Sequence, residues 1–306
     1  MPTRLQSYTK TFADRLLAAI AAGTAPWQKP WRPGELVLPA NLVTAHRYQG
    51  NNTILLLITA ALKGYTDTRW AGFRQIADAG GKVRKGERGT PITVFRPRRT
   101  DDQDLDPARE DVAGADERRP TTFCSVYHVF NLEQTEGLEH LQPPRPATPA
   151  HNCHTAVNQI AGDAHVDIRH AGGDSAYYNS RLDFIAMPLR DQFDDATSYE
   201  QTLLHELAHS TMPPSRLDRP AAREIRSRKS DDYALEELRA EISTMMMGEQ
   251  LGLGHQPQNG QAYVAGWLRK LKDDPDAVRK ATADAQRIAD WLTRNLRAQA
   301  GERAAA

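Results

Sequence analysis

Apolar residues recur at helical spacing at the start of the chain. Leu5, Phe12, Leu16, Leu17 and Ile20 return to one side of a 3.6-residue repeat, which predicts an opening amphipathic helix. The run Ile54 to Leu62 is apolar throughout except for Thr59, and it follows Gly50-Asn51-Asn52. It predicts a buried helix over Leu55–Lys63. A further short helix is expected after Trp70-Ala-Gly-Phe73, ending at Gly80-Gly81. The pattern then changes period. Pro91–Phe95 and Thr121–Phe130 read as two strands of one hairpin, and the unpatterned, Asp- and Arg-rich segment 97–119 between them reads as a mobile loop.

Four prolines between Gln142 and Pro149 stiffen a linker, and the domain boundary is placed there. Beyond it a helix is expected near His154–Ala161, then short strands around His165–Arg169, Ala176–Tyr178 and Phe184–Ala186. Helices follow at about 196–210, 232–251, 258–272 and 276–298. No internal repeat is visible. Both halves read as α+β: residues 1–140, a Pro-rich linker at 141–152, and residues 153–306.

A length of 306 residues suits two domains of ordinary size. The longest apolar run is far shorter than the roughly 20 residues that span a bilayer, so no membrane partner is expected. With only Cys124 and Cys153, a disulfide framework is out, and a reducing cytoplasmic setting is expected.

Charge alters the picture once it is divided. The 39 basic and 39 acidic residues cancel overall. Residues 1–96 nevertheless hold 14 Lys/Arg against 5 Asp/Glu, a net +9, and residues 120–306 hold 20 against 26, a net −6. Such asymmetry points to a polyanionic partner for the first half. That half interleaves aromatic rings with cations: Trp27, Trp31, Arg47, Tyr48 and Trp70, then Lys82, Arg84, Lys85 and Arg88 in a tight basic turn. Rings that stack on bases beside cations that track phosphates suit single-stranded DNA. Neither a recognition helix nor a zinc finger, as duplex readers use, is apparent.

The second half carries His205-Glu206-Leu207-Ala208-His209 inside a predicted helix. Residues i and i+4 share a helix face, so both imidazoles can reach one Zn²⁺ at about 2.0–2.1 Å. Glu206 can then take a proton from the attacking water and return it to the leaving amine. A third ligand is expected on the helix that opens at Asp232. Glu237 and Glu241 lie four apart on one flank there, one suited to the metal and the other to accepting a hydrogen bond from a ligand histidine. Glu236 is the alternative ligand. Tyr177, Tyr178 and Tyr233 are all available to polarise a substrate carbonyl, and the sequence does not choose among them. Met245-Met246-Met247 reads as helix packing.

These motifs resemble a known family. Ala25-Pro-Trp-Gln-Lys-Pro-Trp31, Arg47-Tyr48-Gln-Gly50-Asn51, Gly64-Tyr65 before Arg69-Trp70, Val83-Arg-Lys-Gly-Glu-Arg-Gly89 and Tyr127–Leu138 are similar to the N-terminal domain of ArdC-type antirestriction proteins. Ala176-Tyr-Tyr178, Asp183-Phe-Ile185, the H-E-x-x-H, Ser215-Arg-Leu-Asp-Arg219 and Tyr233–Glu241 resemble the zincin-like metallopeptidase domain that accompanies it. The segment after His209 reads Ser-Thr-Met-Pro-Pro, where the family commonly has a glycine.

The resemblance implies a plasmid-encoded protein that binds single-stranded DNA and protects incoming conjugative DNA from restriction. It also implies a zinc-dependent metallopeptidase in which His205, His209 and Glu237 hold Zn²⁺, or another divalent ion such as Mn²⁺. Glu206 would be the base, and the protein substrate is unknown; with Glu237 on the metal, the spacing leaves Glu241 to accept from a ligand histidine. Two other functions fit the same motifs. One is a DNA-coating protein with a structural or vestigial metal site; the other is a DNA-stimulated protease of a host regulator.

Overall fold

The computed structural model describes residues 3–97, 122–138, 140–141, 152–170, 173–219, 230–258, 260–296 and 298. Helix α1 (Arg4–Ala21) starts at Thr3, whose side chain accepts from the Gln6 backbone N–H while Gln6 accepts from that of Thr3. Two otherwise unsatisfied donors are thereby closed at the helix start. The apolar stripe buries Tyr8, Phe12, Leu16 and Ile20; Leu5 falls off it and stays exposed. Helix α2 (Asn51–Lys63) is buried along its first three turns and stops at Gly64, which takes the left-handed conformation that ends many helices.

Strands β1 (Ala40–Asn41), β2 (Arg69–Gly72), β4 (Thr90–Pro97) and β5 (Thr122–Asn131) form one sheet in the order β1-β2-β5-β4. β4 and β5 run antiparallel from Thr90 opposite Val129 to Pro97 opposite Thr122, so the expected hairpin is present. Beyond Pro97, the segment expected as a mobile loop lies outside the described residues, as does most of the Pro-rich linker. Strand β2 was not legible in the sequence. It is covered on both faces, with Arg69, Trp70 and Ala71 all buried, so it lacks the alternation that betrays a half-exposed strand. A short helix α3 (Phe73–Asp78) follows directly, and β3 (Lys82–Val83) pairs with β6 (Thr135–Glu136) beside it.

In the second half, helix α4 (Cys153–Asp163) leads into a three-stranded sheet of β7 (Asp167–His170), β8 (Tyr177–Asn179) and β9 (Phe184–Met187), in the order β7-β9-β8. Central β9 is buried at every position. Helices α5 (Ala196–Ser210), α6 (Asp231–Leu251), α7 (Gly260–Asp273) and α8 (Pro275–Leu292) complete the fold. The three consecutive methionines of α6 are buried, in keeping with packing.

The two halves share one apolar core. Phe12, Trp27 and Ile54 from the first belong to the same buried cluster as Leu207, Met245 and Trp267 from the second. A polar clasp reinforces it. Trp31 and His255 exchange both backbone hydrogen bonds at 2.8 Å, and His255 Nε2–H donates to the Trp27 carbonyl at 2.9 Å. This approach requires Gly254, whose φ is +71°: a β-carbon there would meet Trp31 O at 2.2 Å.

Candidate metal centre

Asp195 caps α5 by accepting from the Ser198 N–H at 2.7 Å, and Leu203, Leu204 and Leu207 anchor the helix in the core. That anchoring turns His205 and His209 toward α6. Their Nε2 atoms stand 3.2 Å apart. Glu237 completes a triangle, with one carboxylate oxygen 3.4 Å from His205 Nε2 and the other 3.5 Å from His209 Nε2. Three donors, each about 2.0–2.1 Å from one ion at tetrahedral angles, would stand roughly 3.3 Å apart. The side chains therefore fit a divalent ion of that size, and all three are buried.

Glu206 lies beside His205 on α5 and is 8% exposed; its charge acts on His209. Burial opposes charging of either imidazole, yet the surrounding carboxylates together outweigh it: Glu237 and Glu241 for His205, and Glu237, Glu236 and Glu206 for His209. Both histidines are raised above their ordinary value, His209 strongly. Glu237 moves the opposite way: burial would raise its carboxyl, but the two histidines hold it well below the carboxylate range.

The support around the triangle departs from expectation in two respects. The carboxylate facing a histidine Nδ1 is Glu236, whose Oε1 lies 3.2 Å from His209 Nδ1. Arg219 grips the same carboxylate at 2.5 and 2.7 Å, so both Glu236 oxygens are engaged, whereas Glu237 is the carboxylate that groups with the two histidines. Burial resists the Glu236 charge, but Arg219 and His209 together prevail and its carboxyl sits at about 2. Glu241 instead accepts from the Gln258 N–H at 3.0 Å and stands 3.9 Å from His255 Nε2.

Arg219 also donates to the Ala208 carbonyl and to Thr211 Oγ1, both at 3.1 Å. Arg216 donates to the Ser210 carbonyl at 2.7 Å and pairs with Asp183. Two arginines of Ser215–Arg219 thus close the end of the histidine helix, where backbone carbonyls lack helical partners. Tyr178 donates to the same Asp183 at 2.8 Å, and burial raises its phenol. Neither Arg219 nor His255 was singled out by sequence. The one available signal was an arginine-containing motif just after the histidine helix.

The residues expected to bind DNA are divided by the structure. Trp27 and Trp70 are fully buried, so they are core residues and cannot stack on bases. Trp31 is half-buried, donates Nε1–H to the Pro26 carbonyl at 2.6 Å and carries Lys29 over its ring. Tyr48 is half-buried and donates to the Trp70 carbonyl at 3.1 Å. Arg47 pairs with Glu249 at 2.6 Å, across the two halves. Lys82, Arg84, Lys85 and Arg88 are exposed on the basic turn, with Lys82 paired to Glu136 at 3.0 Å. Phe73, in the same aromatic–basic stretch as Trp70, is 63% exposed at the start of α3.

The same architecture occurs in solved structures. The metal-free crystal structure of the antirestriction ArdC protein from the R388 plasmid matches with a TM-score of 0.73 at 37% identity. The alignment covers 94% of this chain and 97% of that one. The chain belongs to the ArdC antirestriction family.

The Mn(II)-bound structure of the same ArdC protein matches at a TM-score of 0.72 and 35% identity. Within this chain, residues 6–130 match the N-terminal domain of anti-restriction factor ArdC, and residues 155–284 match a zincin-like metallopeptidase. It is therefore a two-domain α+β protein. An uncharacterized Sinorhizobium fredii protein, y4eC, is 32% identical over 282 residues, covering 91% of this chain and 89% of its own. Two Escherichia coli proteins named DNA primase TraC are 40% identical over 295 and 293 residues. The chain spans only 20% and 26% of their lengths. Among the described residues, no helix is long and apolar enough to cross a membrane.

Proposed function

We propose that this ArdC-type protein binds single-stranded DNA through its first half and hydrolyses peptide bonds at the His205–Glu206–His209–Glu237 site, protecting incoming plasmid DNA in the recipient cytoplasm. The observation that carries the reading is the convergence of three buried donors at the spacing one divalent ion demands, with Glu206 beside them. His205, His209 and Glu237 hold the ion, Zn²⁺ or Mn²⁺. When bound, it supplies Lewis acidity toward a peptide carbonyl. Glu206 accepts the proton of the attacking water and delivers it to the departing amine. Glu236 fixes the His209 ring through Nδ1, and Arg219 fixes Glu236.

With Trp27 and Trp70 in the core, the surface best suited to a single strand is the face of α3 and β3. Phe73 offers a ring for stacking, and Arg74, Lys82, Arg84, Lys85 and Arg88 offer charge to phosphates.

The test is a restriction-protection assay with Glu206→Gln. Loss of protection with DNA binding retained supports the reading. Undiminished protection places antirestriction in DNA coating alone. A host protein cleaved only when single-stranded DNA is present would identify the substrate as a host regulator.

A further inference from the structure

We propose that Cys153, His154 and Glu200 form a second divalent-metal site, built on a thiolate and selective for zinc-like ions over Mn²⁺. The Cys153 sulfur, a His154 ring nitrogen and a Glu200 carboxylate oxygen all lie within 4.8 Å of one another. They come from two elements: Cys153 and His154 are the first residues of α4, behind the Asn152 cap, and Glu200 projects from α5.

The arrangement has an independent mark of an unfilled role. Glu200 is 2% exposed, a burial that carboxylates rarely accept without pairing. One of its oxygens meets His154 Nδ1, while Oε2 is buried with no hydrogen-bond partner among the described residues. An orphaned buried oxygen is costly, and a cation satisfies it. Cys153 is a free, half-buried thiol. His154 is 48% exposed, which gives an ion a path from solvent and leaves room for a water ligand. Thiolate, imidazole and carboxylate together cancel a 2+ charge, and this is a donor set zinc accepts.

The site is separate from the first. Glu200 precedes His205 by five residues, roughly 140° around the helix, so it faces α4 while the histidines face α6. Donor chemistry separates the two further. The first site offers only nitrogen and oxygen, which Mn²⁺ tolerates; the second includes sulfur, which favours zinc-like ions over Mn²⁺. Binding releases the Cys153 thiol proton, and an ion there staples the start of α4 to the helix that carries His205 and His209.

The experiment is a Co²⁺ titration of the full-length protein, followed by the thiolate-to-cobalt charge-transfer band, with Zn²⁺ and Mn²⁺ contents measured in parallel. Wild type is expected to bind two Co²⁺ or two Zn²⁺ but one Mn²⁺, and to show the band. Cys153→Ala and Glu200→Gln should each lose one equivalent, Cys153→Ala abolishing the band; Cys124→Ala should change nothing. The double variant His205→Ala/His209→Ala should keep the band, so a failure of the peptidase reading leaves this test intact. A single Zn²⁺ per chain without a thiolate band, or a band that survives Cys153→Ala, would overturn the proposal.

Discussion

Arg219 holds Glu236 through two hydrogen bonds, at 2.5 and 2.7 Å, in a place where both side chains are almost wholly excluded from water. The pair positions the proposed metal site because the Glu236 oxygen nearest Arg219 Nη2 also faces His209 Nδ1. Arg219→Ala would strand a buried carboxylate, which costs about 3–5 kcal/mol. It should also free the His209 ring and weaken metal binding by roughly 10–100-fold. Arg219→Lys, which keeps the charge but not the fork, should recover part of the stability and less of the affinity. Thermal unfolding and calorimetric metal titration read these two effects separately.

Metal binding should compete with protons. In the metal-free protein His205 and His209 are raised above their ordinary value, whereas ligation needs neutral imidazoles. Affinity is therefore expected to climb as pH rises from about 6 to about 8, with up to two protons released per ion. Titrations in buffers of different ionisation enthalpy count those protons. A pH-independent affinity would contradict the geometry described.

His255 predicts an acid-sensitive join between the halves. Burial lowers it to about 4, against an ordinary value near 6.5. A depressed folded value means stability that is complete above about pH 6.5 and is lost as pH falls toward 4. The loss amounts to about 3 kcal/mol when complete. Denaturant midpoints across that window should fall in wild type and change less in His255→Gln, whose amide can still donate to the Trp27 carbonyl but takes up no proton in this range.

The DNA surface can be separated from the core by pairing variants. Trp70→Ala should cost about 3–5 kcal/mol of stability and lower DNA binding only through unfolding. Phe73→Ala should leave stability unchanged and weaken single-strand binding by about 1–3 kcal/mol if a base stacks there. Replacing Lys82, Arg84, Lys85 and Arg88 with Gln should flatten the salt dependence, by about 0.7 in log–log slope for each phosphate contact removed.

The helices and the long hairpin were legible because periodicity is a local property, and the H-E-x-x-H spacing follows from helix geometry alone. What escaped the sequence depends on packing. Trp27 and Trp70 sit among cations in the chain, yet their rings turn inward where only the tertiary fold decides the direction. Glu236, Glu237 and Glu241 fall within two turns of one helix, and which carboxylate meets which partner depends on where Arg219 and His255 arrive from elsewhere. The Pro-rich linker marks a domain boundary in the sequence but carries no sign of how the halves pack. Phe12, Trp27 and Ile54 pack into the core of the second half, so a fragment ending at residue 140 would expose them.

A catalytic ion held by His205, His209 and Glu237 and served by Glu206 should reveal itself in the products of peptide hydrolysis. The most direct measurement is mass-spectrometric analysis of a peptide library incubated with Mn²⁺- or Zn²⁺-loaded full-length protein and single-stranded DNA. Wild type and Glu206→Gln are compared, and metal content at this site is determined for both. Wild type should yield cleaved peptides and Glu206→Gln none, with the ion fully retained in the variant. No cleavage by metal-loaded wild type, or the same fragments from both proteins, would contradict a catalytic role for this site.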